Sequence, residues 1–141
     1  MSHQKLLFCF PSVPKLTQSV TWGLTTVGVS SSGIPIRPYT AEYFDPDVKR
    51  GYSKNPASGW RKQAMYSPRD LGIEEHNGHI DKTGLYHYHR IGKDVEDDKK
   101  TLLIGYAPDG FKIVYSPNIL MSSWQLKIGR RSSPIGGHHD G

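Results

Sequence analysis

The chain has a single cysteine, Cys9, in 141 residues. A disulfide within the chain is therefore excluded, and so are four-thiolate zinc and iron–sulfur sites. Apolar residues are also scarce, at 35% of the sequence against ~45–50% in ordinary soluble domains, a range that counts glycine. No run approaches the ~20 consecutive apolar residues of a membrane helix, so no membrane span is expected. Acidic residues number 13 against 18 Lys and Arg, for a net charge of +5. That excess is dispersed: Lys49-Arg50, Arg61-Lys62 and Arg130-Arg131 are isolated pairs. No aromatic–basic signature of a nucleic-acid reader accompanies them, so no specific nucleic-acid partner is expected. The N-terminus lacks a recognisable signal peptide. Lys5 precedes Leu6-Leu7-Phe8-Cys9-Phe10, which is shorter than the ~7–15 apolar residues of a signal core, and Pro11 ends it.

What is plentiful is glycine, 15 residues, and proline, 10 residues. Such a chain is a poor helical bundle. Its length suits one domain. Short β-like runs separated by turn residues predict a mainly antiparallel β-sandwich or meander, with long irregular loops and few short helices. Val20 to Val29 leads into a hairpin over the Ser30-Ser31-Ser32-Gly33 cluster, returning through Ile34-Pro35-Ile36. Pro35 cannot donate to a ladder and is expected on an edge or a bulge. Residues 40–72 show no period and read as an ordered but irregular segment, with Trp60 to Tyr66 a short helix or strand. Leu102 to Tyr106 has the apolar run of a buried strand. Pro108-Asp109-Gly110 is a turn in which Gly110 takes a positive φ, and Phe111, Ile113 and Tyr115 form the return strand. Trp124, Leu126 and Ile128 alternate as a further strand, and residues 132–141 show no core-forming period.

Histidine carries the chemistry. Four of the seven lie within fourteen residues: His76, His79, His87 and His89. In Tyr86-His87-Tyr88-His89 the period of two puts both imidazoles on one face of a strand and both phenols on the other. Asp81-Lys82-Thr83-Gly84 is a turn able to fold His76 and His79 back toward that pair. The result is a candidate site of two to four imidazole nitrogens, with Glu74, Glu75 or Asp81 as oxygen ligands or supporting acceptors. An imidazole-rich donor set suits a transition metal, Cu or Zn or else Ni, and without thiolates the sequence favours none of them decisively. Ligation needs neutral rings, so binding is expected to weaken as pH falls through about 6.5. The alternative is a sheet face with the tyrosines inside and the histidines hydrogen-bonded at the surface, with no ion.

These segments resemble a known family. His76-Asn77-Gly78-His79, the Thr83-Gly84 turn and Tyr86-His87-Tyr88-His89 are similar to the pattern of the YHYH protein family: asparagine, small residue, histidine, then glycine and the YHYH signature. Leu103 to Phe111 resembles its "LIGYAxDGFPIYG" element, with Lys112 in place of proline and Val114 before Tyr115. Gly28-Val29 with Gly33-Ile34-Pro35-Ile36 resembles its "GVxxNGVPI" hairpin, and Trp60-Arg61 with Ala64 its tryptophan segment. Ser122 to Lys127 and Gly136 to Gly141 are similar to its "SSYxLKxG…GGxYDG" stretch. The resemblance covers roughly residues 20–141 and implies a β domain there behind an N-terminal extension, residues 1–19. Family members usually continue into a second, acidic portion that this chain lacks. The domain is therefore expected to be incomplete at its C-terminus, with an exposed sheet edge through which copies self-associate. His76 stands where the family often has cysteine or asparagine. The family's members are commonly exported, which implies an extracytoplasmic or secreted protein.

Three functions are compatible with these residues. The first is a metal-binding β domain, with His79, His87, His89 and His76 as the ligand candidates. The second is a metal-dependent, hydrolase-like enzyme with Asp109, Glu75 or Glu74 as base. The third is a metal-free carbohydrate- or protein-binding module presenting Tyr39, Tyr43, Tyr52 and Trp60. Asp109 has two readings, a turn acceptor or a group aimed at the histidines.

Overall fold

The computed structural model describes residues 4–19, 25–38, 40–66, 68–92, 95, 100–120 and 139–140. The protein is mainly β. Its strands are β1 (Gly28–Ser30), β2 (Pro35–Ile36), β3 (Thr40–Phe44), β4 (Tyr52–Ser53), β5 (Arg61–Gln63), β6 (Gly78–Ile80), β7 (Tyr86–Tyr88), β8 (Leu102–Tyr106), β9 (Lys112–Tyr115) and β10 (His139–Asp140). Single helical turns lie at Pro56–Ser58, Ala64–Tyr66 and Pro68–Leu71. Among the described residues no helix is long and apolar enough to cross a membrane.

The strands form two sheets. One runs β6-β7-β2-β1-β8-β9 and the other β10-β5-β3-β4. Neighbours are antiparallel except β2 and β7, which are parallel through Ile36 and Tyr88. That pairing positions the site, because it lays residues 36–38 beside the end of β7: the Arg37 N–H donates to the Tyr88 carbonyl at 2.8 Å.

The serine cluster closes the β1–β2 hairpin as expected, with Gly33 N–H on the Ser30 carbonyl and Ile34 N–H on the Ser30 hydroxyl. Pro35 is a correction. It lies in an interior strand of the sheet rather than on an edge, but it is that strand's first residue, a position proline also tolerates. The β8–β9 hairpin forms, and Gly110 in its turn has φ +86°. Yet β8 is not the buried strand its apolar run suggests: Leu103 and Tyr106 are exposed, whereas Gly105 is buried. A Cβ at Gly105 would overlap the Val29 carbonyl oxygen. The β1–β8 pairing therefore needs glycine there, and the register shifts beside it, between Leu103 and Gly105.

The irregular segment 40–72 is a second correction in part: it supplies β3 and β4, whereas β5 and the turn at Ala64–Tyr66 fall where a short helix or strand is expected, over Trp60 to Tyr66. These strands escape a period test because they are short and β3 carries a register shift between Thr40 and Tyr43. Their side-chain contacts include the edge-to-face Phe44–Tyr52 ring pair, with centroids 6.2 Å apart, and two cationic–aromatic contacts. The Arg61 guanidinium sits 4.6 Å from the Tyr43 ring centre and the Lys62 ammonium 4.6 Å from that of Tyr52, contacts that stabilise by about 0.5–2 kcal/mol each. Tyr43 also accepts from Arg61 Nη2 at 2.6 Å. Tyr43 and Tyr52 are thus half-buried cross-strand partners. The tail supplies β10, paired with Lys62 and Arg61, although it shows no core-forming period. The strand expected at Trp124 to Ile128 lies outside the described residues, as do Val20 to Leu24 and Tyr39.

Burial is unusually polar. Among the described residues the buried apolar side chains are Val29 and Ala64, while Asp45, Lys62, His87 and His89 are the buried polar ones. Among the described residues the largest fully enclosed side chain is an imidazole, His87, at 1% exposure.

Candidate metal centre

The site is built on the β6–β7 hairpin. Its turn is organised by Asp81, whose Oδ1 accepts from Thr83 N–H at 2.8 Å, Thr83 Oγ1 at 2.6 Å and Leu85 N–H at 3.2 Å. Oδ2 accepts from Arg37 Nη2 at 2.8 Å. Burial opposes ionisation of this carboxyl, but the bonds from Thr83 and Arg37 outweigh it and hold the group well below the usual carboxylate range. Gly84, at φ +84°, lets the chain reverse. The register then sets His79 directly opposite His87, with Gly78 facing Tyr88 and Ile80 facing Tyr86. His89 follows β7, its N–H bonded to the Asn77 carbonyl at 2.9 Å. Period two places His89 on the His87 face, and cross-strand pairing brings His79 to both.

The rings converge through one nitrogen each. His89 Nε2 lies 3.2 Å from both His79 Nε2 and His87 Nε2. One ligand nitrogen from each of the three rings lies within 4.8 Å of the others. Each opposite nitrogen faces a backbone carbonyl: His79 Nδ1 to Leu71 at 2.5 Å, His87 Nδ1 to Leu85 at 3.3 Å, and His89 Nδ1 to Pro38 at 2.6 Å. A carbonyl can only accept, so each Nδ1 carries the proton and donates. In the neutral ring Nε2 is then a bare lone pair. Three such lone pairs face one another. Such an arrangement could hold a cation, and backbone carbonyls that fix the tautomer and aim of ligating imidazoles are the usual support of a metal site.

The electrostatics favour neutral rings. Burial, and then the Arg37 charge, push His87 down to about 4. Burial likewise lowers His89, opposed by its bond to Pro38 and assisted by the charges of His79 and Arg37. Protons therefore begin to compete for these two rings below the pH of about 6.5 expected for unperturbed imidazole.

The tyrosines occupy the other face of the hairpin. Their rings meet edge to face with centroids 5.6 Å apart, and both are half-buried. The arrangement with tyrosines inside and histidines at the surface is thus inverted. Tyr86 Oη donates to Glu74 Oε1 at 2.6 Å, and Glu74 also accepts from the N–H groups of His76 and Gly78. Burial opposes ionisation of Glu74, but the Tyr86 and backbone bonds lower its pKa. Burial and the same carboxylate raise the Tyr86 phenol. Glu74 ties the loop to the phenol side rather than facing the imidazoles.

The other candidates lie apart from the three rings. His76 is exposed, with Nε2 3.8 Å from Glu75 Oε1, and Glu75 is itself exposed. Asp109 sits in the β8–β9 turn, its Oδ1 accepting from Phe111 N–H at 3.4 Å. Strand β8 is three positions from β7 in the sheet order, about 14 Å at the usual strand spacing. The structure thus brings together His79, His87 and His89 and leaves His76, Glu75 and Asp109 outside that group. It adds Arg37, whose place beside β7 follows from the parallel β2–β7 pairing, which leaves no local signal in sequence.

The family model for YHYH protein matches residues 7–127, and the chain belongs to that family. No curated protein and no solved structure matches the chain.

Proposed function

We propose that this member of the YHYH family binds one transition-metal ion through the Nε2 atoms of His79, His87 and His89, leaving at least one coordination position open. The observation that carries this reading is the convergence of three Nε2 lone pairs in rings whose Nδ1 protons are committed to backbone carbonyls. Two nitrogens held 2.0–2.1 Å from one tetrahedral ion stand about 3.3–3.4 Å apart; the two separations to His89 are 3.2 Å, and the three nitrogens lie within 4.8 Å of one another. Imidazole nitrogen suits Zn and Cu, and Cu²⁺ is the tighter of the two on ordinary affinity order. Titration of each ion into the wild type and a His87→Ala/His89→Ala variant tests it. One equivalent bound by the wild type and lost in the variant is the expected result; equal, weak binding in both overturns it, and metal-independent stability then favours a metal-free binding module.

A metal-dependent, hydrolase-like activity is the second reading, favoured by the ligand count. Three protein ligands are the set of catalytic zinc, whose fourth position holds a water made acidic by the ion. Hydrolysis of p-nitrophenyl acetate by zinc-loaded protein, lost on chelation and in the double variant, would support it. Stoichiometric zinc without turnover on this ester would leave ion binding as the function.

A further inference from the structure

A cavity of about 870 Å³ lies against the centre, and His89 and Arg37 both line it. Its volume falls within the roughly 300–1,000 Å³ of small-molecule sites. Most of its wall is apolar, including Val27, Ile36, Ile91, Ile104 and Ile113. Among the described residues the basic side chains Arg37, Arg90, His76 and His89 line it beside the phenols of Tyr88 and Tyr115, and no carboxylate does. Asp81 neutralises part of Arg37 from outside the cavity, through Nη2. Arg37 Nε, however, is buried without a hydrogen-bond partner among the described residues. A buried donor left in that state is costly, and an oxygen acceptor relieves the cost. The Arg37 charge also reaches the metal centre, where, after burial, it helps lower His87 and His89.

We infer that the open position of the ion takes an organic monocarboxylate with an apolar body, its head shared between the ion and Arg37 and its body in the cavity. The inference rests on the three-histidine reading of the preceding subsection. One carboxylate oxygen replaces the exchangeable water on the ion, and the other accepts from Arg37 Nε–H. The apolar walls take the chain or ring, which separates this ligand from a bare inorganic anion. A neutral alcohol of equal length lacks the charge that Arg37 and the ion select.

Cobalt(II)-loaded protein provides the test, because its visible bands respond to exchange of a ligand on the ion. Octanoate, acetate and octan-1-ol are the probes. Octanoate is expected to shift the bands and to bind at least tenfold more tightly than acetate, while octan-1-ol leaves the bands unchanged. Arg37→Gln is expected to take up cobalt and to lose at least tenfold in octanoate affinity. Ser32→Glu, an exposed position on the cavity wall, adds a repelling carboxylate without touching the Asp81 pair. It should weaken octanoate severalfold with cobalt uptake unchanged. Cobalt uptake with octanoate no tighter than acetate overturns the inference alone, and so does unaltered octanoate affinity in Arg37→Gln. Should Arg37→Gln fail to fold, unaltered affinity in Ser32→Glu overturns it. Absence of cobalt uptake by the wild type overturns the three-histidine reading together with this one.

Discussion

The hairpins β6–β7 and β8–β9 flank the same six-stranded sheet, and their turns use the same chemistry. Each reverses through an aspartate followed by a glycine at positive φ, Asp81 with Gly84 and Asp109 with Gly110. Their side chains differ. The first hairpin turns three imidazoles inward, and His87 and His89 are buried. The second carries aliphatic and aromatic residues, of which Leu103, Tyr106 and Val114 are exposed. It is covered in part by the N-terminal segment, where Phe10 and Tyr106 pack with ring centroids 6.0 Å apart. Turn chemistry thus sets where the chain reverses. What each hairpin presents is set by its side chains: apolar and aromatic groups on the second, and on the first three imidazoles that could hold a cation.

The largest separation between them is expected at the ion. His87→Ala removes a ligand and should lower zinc affinity on the order of a thousandfold by calorimetric titration, since the remaining two rings no longer close the site. Val114→Ala, on the exposed face of the second hairpin, should leave zinc affinity unchanged and alter stability by less than about 0.5 kcal/mol.

Acid should act through the first hairpin. His87 is buried neutral, and its pKa lies at about 4 rather than 6.5. Between those values the unfolded chain binds more protons than the folded one, so stability rises with pH across that window. The contribution is fully present above pH 6.5 and is lost progressively as pH falls toward about 4. Its size is roughly 3 kcal/mol for this ring alone. Urea denaturation of chelator-treated protein at pH 7 and pH 4.5 should register most of that loss, and His87→Phe should flatten the profile.

The turns offer finer tests. Asp81→Asn weakens a carboxylate with four hydrogen-bonding partners and is expected to reduce zinc affinity about tenfold, the lower range for groups that orient metal ligands. Gly110→Ala should cost about 1 kcal/mol or more in thermal denaturation: its φ is positive, and the added Cβ would come within 2.6 Å of the Pro11 carbonyl oxygen. Zinc affinity should not change. Asp109→Asn is the smallest effect, because one 3.4 Å contact is at stake. A loss below about 0.5 kcal/mol is expected, whereas a fall in zinc affinity would show that Asp109 serves the histidines.

The contrast also explains what was legible in sequence. His79, His87 and His89 could be read because local rules place them together: period two within a strand, and one turn that sets the register across the hairpin. The β8–β9 turn was legible for the same reason. Arg37 was not, since it reaches the centre through a parallel pairing between segments about fifty residues apart. Strands β3 and β4 were not, because two to five residues carry too little pattern, whereas β5 falls within the short helix or strand expected over Trp60 to Tyr66. The apolar run of β8 read as buried because composition reports hydrophobicity, whereas exposure depends on what covers each face. His76 lies within three residues of His79 yet points its Nε2 toward Glu75. Proximity in sequence alone does not make a ligand.

The central claim is that three imidazole nitrogens of one hairpin share one ion. X-ray absorption at the zinc edge, on protein loaded with one equivalent and dialysed, tests it most directly. The account predicts three imidazole scatterers with Zn–N distances of about 2.0–2.1 Å and one lighter-atom ligand that octanoate can replace. Zinc lost on dialysis, or a shell of oxygens with fewer than two imidazoles, would contradict it.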